Sequence, residues 1–214
     1  FYDITMTDVG NDKWSVSILK TVPVVADIPD QTYTGSEIKP EPQVMAGSLS
    51  LTKGTDYEYS YTNNTNAGTA TVTVTFKGDY ASLGSVEKEF NIVPKVTNLG
   101  ALTITEDQDG ATATFDASSS ETITITETIE VKTVIIKRAF TAERPSTMIL
   151  PFQCDASKFG GTFHTVSSVE YNETTHQWEA KASAAVATMQ ANTPYLFKPS
   201  QNTSAENPIV INVA

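Results

Sequence analysis

The chain has 214 residues, 25 of them acidic and 14 basic, so its formal net charge at neutral pH is −11. Nucleic-acid backbones are bound by clustered lysines and arginines, and this balance argues against such a partner. Hydrophobic residues make up 39% of the chain, enough for packed cores, and no apolar run is long enough to span a bilayer. We therefore expect one large or two ordinary globular domains that do not cross a membrane.

Residues 1–24 are too few for a domain, but the alternation from Trp14 to Ile18 is typical of a strand. We expect this segment to supply one or two strands. They belong either to a preceding module or to one of the modules that follow. The chain begins and ends in sequence typical of strands, so we interpret it as a fragment of a longer protein.

Residues 25–94 are predicted to form the first domain. Ala70, Val72, Val74 and Phe76 alternate with threonines, which is the pattern of a half-buried strand. The tyrosines at positions 57, 59 and 61 share one face of another strand. They either stack on a ligand or cover the edge of the core with their hydroxyls in water, and we favour the second interpretation.

Residues 95–214 are predicted to form a second β domain, with a boundary near Pro94. Period-two alternation recurs at 101–105, 111–115, 122–126, 129–137 and 163–171. Asp109 and Gly110 predict a hairpin turn, and residues 172–176 predict another. Residues 180–190 have a helix-friendly composition but lie between strand signals. The sequence thus predicts an all-β protein of two tandem β-sandwich modules, with helix in fewer than about one residue in ten.

The first domain carries a series of linked motifs. They read Ile-Pro-Asp-Gln-Thr-Tyr-Thr-Gly at 28–35, Leu-Thr-Lys-Gly-Thr-Asp-Tyr at 51–57, Tyr-Thr-Asn-Asn-Thr-Asn-Ala-Gly-Thr-Ala at 61–70 and Lys-Gly-Asp-Tyr at 77–80. This order closely resembles the bacterial Ig-like repeats that occur in tandem on large surface proteins of gut and rumen bacteria. Asp79 departs from the usual asparagine. The resemblance implies an Ig-like fold and an extracellular or cell-surface location.

Three shorter motifs mark the second domain. They are Lys-Arg-Ala-Phe-Thr at 137–141, Ser-Thr-Met-Ile-Leu-Pro-Phe at 146–152 and Ala-Asn-Thr-Pro-Tyr-Leu at 191–196. They are similar to a segment common near the C-terminal regions of Bacteroidetes and Fibrobacter surface proteins. The resemblance implies a β-sandwich and no known chemistry.

Candidate catalytic and metal-binding groups are sparse in the sequence. Cys154, the only cysteine, excludes an internal disulfide and a cysteine-based zinc site, and we expect it to be buried and slow to react. Residues 105–110 share part of a calcium-loop pattern but lack its downstream glutamate, which favours a hairpin. No carboxylate pair or nucleophile set is evident. We expect no enzymatic activity, no metal and no cofactor.

The best ligand-binding candidates are aromatic residues of the second domain, Trp178, Tyr171 and Tyr195, with Phe163 nearby in sequence. Each either stacks on a sugar ring or packs in the core. We expect a non-catalytic extracellular module that serves as a structural spacer or adhesion segment. The alternative is a carbohydrate-binding module of a polysaccharide-degrading system, and a third reading is an accessory domain of an enzyme. Expected partners are polysaccharides or other surface-protein modules.

Overall fold

Extended backbone dominates the computed structural model, which describes residues 2–126 and 128–213. Strands account for 52% of the residues and helix for 5%, and the helix consists of two short 3₁₀ segments. These values confirm the predicted all-β class and its low helix content. Within the described ranges, no helix has the length and hydrophobicity needed to cross a bilayer.

The chain divides into two compact units between Lys95 and Val96. A 3₁₀ helix, Gly78–Leu83, connects the last two strands of the first unit. The strands of the first unit are β1 Tyr2–Gly10, β2 Lys13–Lys20, β3 Val24–Val25, β4 Gln31–Thr32, β5 Val44–Ala46, β6 Leu49–Ser50, β7 Tyr57–Thr62, β8 Gly68–Phe76 and β9 Ser85–Val93.

The second unit contains a short 3₁₀ helix, Ala156–Phe159. Its strands are β10 Lys95–Leu99, β11 Leu102–Asp107, β12 Gly110–Asp116, β13 Thr133–Lys137, β14 Ser146–Ile149, β15 Cys154–Asp155, β16 Gly161–His164, β17 Val166–Asn172, β18 Gln177–Ala182, β19 Thr188–Met189, β20 Pro194–Pro199 and β21 Ile209–Asn212.

The core of the first unit lies between a four-stranded sheet, β4-β9-β8-β7, and a three-stranded sheet, β3-β5-β6. The apolar face of β8 points inward as the alternation predicts. Val74 and Phe76 pack with Val25, Val44 and Leu51 on the facing side. A second cluster gathers Ala70, Phe90 and Ile92. Two sheets that bury one face each against the other form a sandwich-like arrangement.

Strands β1 and β2 form a separate two-stranded sheet, and among the described residues they pair only with each other. Tyr2, Ile4, Met6, Trp14 and Val16 lie on one face because directly paired residues point the same way. All five are more than half exposed. The hairpin is therefore amphipathic, and its apolar face is turned to solvent.

The second unit is built from a five-stranded sheet, β10-β11-β12-β13-β21, and a three-stranded sheet, β14-β20-β16. Leu102, Ile104 and Ile136 from the first sheet pack in one cluster with Phe163 and Phe197 from the second. As in the first unit, two sheets therefore pack face to face. Strands β15 and β19 form a short side pair, and β17 and β18 form a hairpin sheet of their own.

One strand-like run is absent from the structure, two others have different bounds, and a segment that the sequence left ambiguous is decided. Only residues 133–137 of the run 129–137 form a strand, and the run 163–171 is divided between β16 and β17. Residues 122–126 form no strand; they lie in the irregular crossover, residues 117–126 and 128–132, between the parallel neighbours β12 and β13. Residues 180–190 form no helix. Instead β18 ends at Ala182, and Met189 is buried in β19 opposite Cys154. Strand pairing there overrides helix propensity.

The predicted hairpin at Asp109 and Gly110 is confirmed, since Asp107 pairs with Gly110 at the end of β11 and β12. Gly110 has φ +109°, a conformation that side chains rarely adopt. The Asp107 carboxylate accepts a 2.9 Å hydrogen bond from the Asp109 amide and closes the turn.

Gly100 is expected to be the least tolerant turn glycine of the second unit. It has φ +73°, and a Cβ built on it lies 2.1 Å from the carbonyl oxygen of Thr122 in the crossover. Gly100→Ala therefore combines a left-handed conformation, which costs about 1–2 kcal/mol, with a backbone clash. We expect the free energy of unfolding to fall by about 3 kcal/mol or more, measured by calorimetry on the full chain.

Gly160→Ala is the matched control for this prediction. Gly160 also has positive φ, +62°, but its Cβ would meet nothing closer than 3.8 Å. Only the conformational cost of about 1–2 kcal/mol is expected. An equal decrease in the free energy of unfolding of the two variants would show that the crossover makes no close steric contact at Gly100.

Candidate functional site

The hairpin formed by β17 and β18 presents the most exposed aromatic side chain of the second unit. Its turn is fixed by Asn172, whose Oδ1 accepts hydrogen bonds from the amides of Thr174 at 2.9 Å and Thr175 at 3.1 Å. His176 closes the turn with φ +54°. The predicted turn at 172–176 is thereby confirmed, and it brings Tyr171 directly opposite Trp178.

The two faces of this hairpin differ in character. Residues that pair across the strands share a face, so Val169, Tyr171, Trp178 and Ala180 lie together on one side. All four are exposed. The side that carries these four residues is therefore an apolar surface with two aromatic rings, and we call it the Trp178 face.

Polar side chains hold the opposite face in place. Lys181 forms an ion pair with Glu170 at 2.5 Å, and the amide of Asn172 donates to Glu179 at 2.6 Å. The hydrogen bond from Lys181, aided by one from Ser168, lowers the pKa of Glu170 from its ordinary value. These cross-strand contacts connect the strands while leaving the Trp178 face clear.

Trp178 is 72% exposed, which makes its indole accessible to a ligand. Its ring centroid lies 5.4 Å from that of Tyr171, and the two planes meet at 62°. This edge-to-face geometry is a preferred arrangement of aromatic pairs. It supports the indole from one side but does not make a flat two-ring surface, so a stacked ligand would lie on a single ring.

The structure does not bring Tyr195 to this face. Tyr195 is 6% exposed and lies in β20, and its hydroxyl oxygen accepts a 2.9 Å hydrogen bond from the amide of Gln190. Its ring packs edge-on against Phe163, which is fully buried and stacks on Phe197. Strand β20 turns Tyr195 and Phe197 inward. Both Tyr195 and Phe163 therefore belong to the core of the second unit.

The tyrosine row of β7 seals an edge of the first unit. Tyr57 is buried, and the hydroxyls of Tyr59 and Tyr61 donate to the carbonyl oxygens of Pro42 and Pro40, the latter at 2.8 Å. These contacts agree with the interpretation that the row covers the edge of the core, and they bind two of its hydroxyls to Pro40 and Pro42. Burial raises the pKa of Tyr59 and of Tyr61.

The remaining candidate groups have structural partners. Cys154 is half-buried rather than buried, and desolvation raises the pKa of its thiol. His164 contacts the Ser183 carbonyl at 2.9 Å, whereas His176 lies 3.3 Å from the Tyr171 hydroxyl. In the part of the chain that the structure describes, no three or more His, Cys, Asp or Glu are grouped to hold a metal ion.

Comparison with known proteins finds no match. No protein-family model fits the chain, and no curated protein or solved structure is significantly similar to it.

The different positions of Trp178 and Tyr195 generate a stability prediction. Tyr195→Ala removes a buried ring and leaves a cavity, and we expect it to lower the free energy of unfolding by about 3–5 kcal/mol. Trp178→Ala removes an exposed ring and should change that free energy by about 0.5 kcal/mol or less. Calorimetry on the full chain measures both. A large loss in Trp178→Ala would mean that the indole packs in the core.

Proposed function

We propose that this chain is a non-catalytic extracellular segment of a bacterial surface protein, and that it works as a structural spacer and adhesion segment. In this proposal residues 25–94 form an Ig-like domain, and residues 95–214 form a second sandwich in tandem with it. The motif series in the first domain supports the proposal, as do the all-β class and the paired layers of each unit. The observation on which the proposal mainly depends is the direct pairing of strands β4 and β9 in the first unit.

The beginning and the end of the 25–94 region are paired directly. Strand β4 runs parallel to β9, with Gln31 beside Ile92 and Thr32 beside Val93. The amide of Tyr33 adds a 2.8 Å hydrogen bond to the carbonyl of Val93. We call this pairing of β4 with β9 the closing clamp.

Side chains extend the closing clamp on both sides. The amide of Asn91 donates to the Asp30 carboxylate at 3.2 Å, and Lys88 forms an ion pair with Asp27 at 2.5 Å. The Lys88 contact lowers the pKa of Asp27. Residues 27–33 are thereby connected to residues 88–93 at Asp27, at Asp30 and along 31–33, although each exposed charge pair adds little by itself.

The direction of the strands decides how tension acts on this clamp. In a parallel pair, force on the chain before β4 and force on the chain after β9 pull the two strands in opposite senses along their common axis. All the connecting hydrogen bonds are then sheared together, whereas a hairpin pulled at its open end would lose them singly. A domain closed in this way is suited to transmit load between the segments on either side of it.

Pulling the full chain by its two ends tests the spacer proposal. Forced unfolding is governed by the unfolding rate. Tyr33→Pro removes the donor to Val93, a hydrogen bond of about 1–1.5 kcal/mol, and also a ring that packs against Phe90 and Ile92, so the unfolding rate of the first unit under load should rise by about tenfold or more.

Val74→Ala is the control for that experiment, because Val74 is fully buried in β8 and pairs with Val86, outside the closing clamp. It should lower the equilibrium stability of the first unit by about 1–3 kcal/mol. Its unfolding rate under load should change far less than that of Tyr33→Pro. If Tyr33→Pro unfolds under load like the unaltered chain, the closing clamp bears no force and the spacer proposal fails.

A second candidate function is carbohydrate binding, and the exposure of Trp178 favours it. The indole offers a ring on which the apolar face of a sugar can stack, and Tyr171 and the small side chain of Ala180 lie beside it. The net charge of −11 favours neutral polysaccharides over anionic ones. The ligand on this view is a neutral polysaccharide held by one ring.

Pull-down with insoluble neutral polysaccharides tests this candidate. A stacked ring contributes about 1–3 kcal/mol, so Trp178→Ala should weaken binding by about 10- to 100-fold without loss of thermal stability. Trp14→Ala removes the other tryptophan, also exposed, and should leave binding unchanged. Binding that survives Trp178→Ala would exclude the Trp178 face as the platform.

A further inference from the structure

The last strand of the second unit ends on a row of directly paired residues that crosses four strands of the five-stranded sheet. Thr105 in β11 pairs with Thr112 in β12. Thr112 pairs in turn with Thr133 in β13, and Thr133 pairs with Asn212 at the end of β21. The chain therefore leaves the sheet at one of its edges, at the level of this row.

The first strand of the unit begins on the same row at the opposite edge. Strands β10 and β11 are neighbours joined by a two-residue turn, so they run antiparallel. The Thr103 hydroxyl donates a 3.2 Å hydrogen bond to the side-chain oxygen of Asn98, which places these two residues side by side. Two residues further out along each strand, Val96 comes beside Thr105. The chain thus enters and leaves at the same end of the sheet, on its two outer strands.

This arrangement decides how tension acts on the second unit. Force on the chain before Val96 and after Asn212 acts along the row, across the strands and parallel to the hydrogen bonds of antiparallel pairs. The bonds at the end of each outer strand are loaded first, so they break one after another. The closing clamp of the first unit is loaded differently, because its two parallel strands are pulled along their common axis.

The two outer strands are held with different strength. The five residues of β10 are exposed or half-buried, and Leu99 is the one that packs against the core. In β21, by contrast, Ile211 is 1% exposed, and Lys158 donates a 2.8 Å hydrogen bond to the carbonyl oxygen of Asn212. Opening of the sheet under tension therefore starts at β10.

We propose that the second unit is a force-limiting element, which opens from β10 inwards under tension before the first unit yields. In the sheet its ends are four strand spacings apart, about 19 Å. Once opened, residues 96–212 span up to about 400 Å, at about 3.4 Å per residue, and this lengthening lowers the tension on whatever the chain holds. The order of the two events rests on the proposed spacer function, whereas the direction of opening rests on the second unit alone.

Pulling one protein from two different attachment points in optical tweezers tests the direction of opening. Cys154→Ser removes the only thiol, and Ala205→Cys introduces another in the loop between β20 and β21. Ala205 is exposed, and three residues separate it from the start of β21, which lies at the opposite end of that strand from Asn212. One handle stays at the N-terminus, and the other is attached either to the C-terminus or to the thiol at position 205.

Force applied at position 205 also pulls the outer strands along their axes, so several hydrogen bonds share the load. The second unit should then open about tenfold more slowly, or slower still, than it does at the same force from the C-terminus. Both measurements use the same folded protein, so a difference in stability cannot produce this result. Equal opening rates from the two attachment points would overturn the proposal.

The length released in each step shows which unit has opened. The second unit releases about 400 Å and residues 24–93 of the first unit about 240 Å. When the unaltered chain is pulled by its two ends, the long step should come first, and a short step that precedes it would overturn the proposal. Tyr33→Pro should accelerate the short step and leave the long one unchanged. A short step that Tyr33→Pro does not accelerate would refute the spacer function, while a long step that still comes first and still depends on the attachment point would support the force-limiting role.

Discussion

Two parallel strand pairs, β4 with β9 in the first unit and β12 with β13 in the second, constrain much of what surrounds them. Parallel neighbours cannot be joined by a tight turn, because the chain must return to the same end of the sheet before it starts the next strand. In the first unit that return occupies nearly the whole domain, so the pairing fastens its beginning to its end. In the second unit it occupies only the crossover, whose Ile129 and Val131 pack against the core.

Alternation in the sequence is enough to predict strands whose two faces meet different environments. Strand β8 is the clearest case, since its apolar residues are buried and its threonines lie on the other side. The turn at Gly110 was predictable for a local reason, because its backbone angles suit glycine. Such features depend on neighbours in sequence, and the all-β class follows from their number.

In the crossover, alternation in the sequence does not predict the structure correctly. Ile123 and Ile125 alternate with threonines as strand residues do, yet both lie in irregular chain. The aromatic residues show the same limit. Tyr171 and Tyr195 have similar local sequence signals, but strand pairing turns Tyr195 into the core and leaves Tyr171 beside Trp178 at the surface. A short stretch of sequence does not show whether a side chain points towards a sheet formed by distant residues or towards solvent.

The exposure of the two tryptophans has a spectroscopic consequence. Trp14 and Trp178 are the only indoles in the chain, one in each unit, and both are largely surrounded by solvent in the folded state. Their emission is therefore already that of a hydrated indole, and it changes little when the cores melt. Intrinsic tryptophan fluorescence is a poor reporter of unfolding in this protein, but for the same reason it is a sensitive reporter of anything that covers either hairpin.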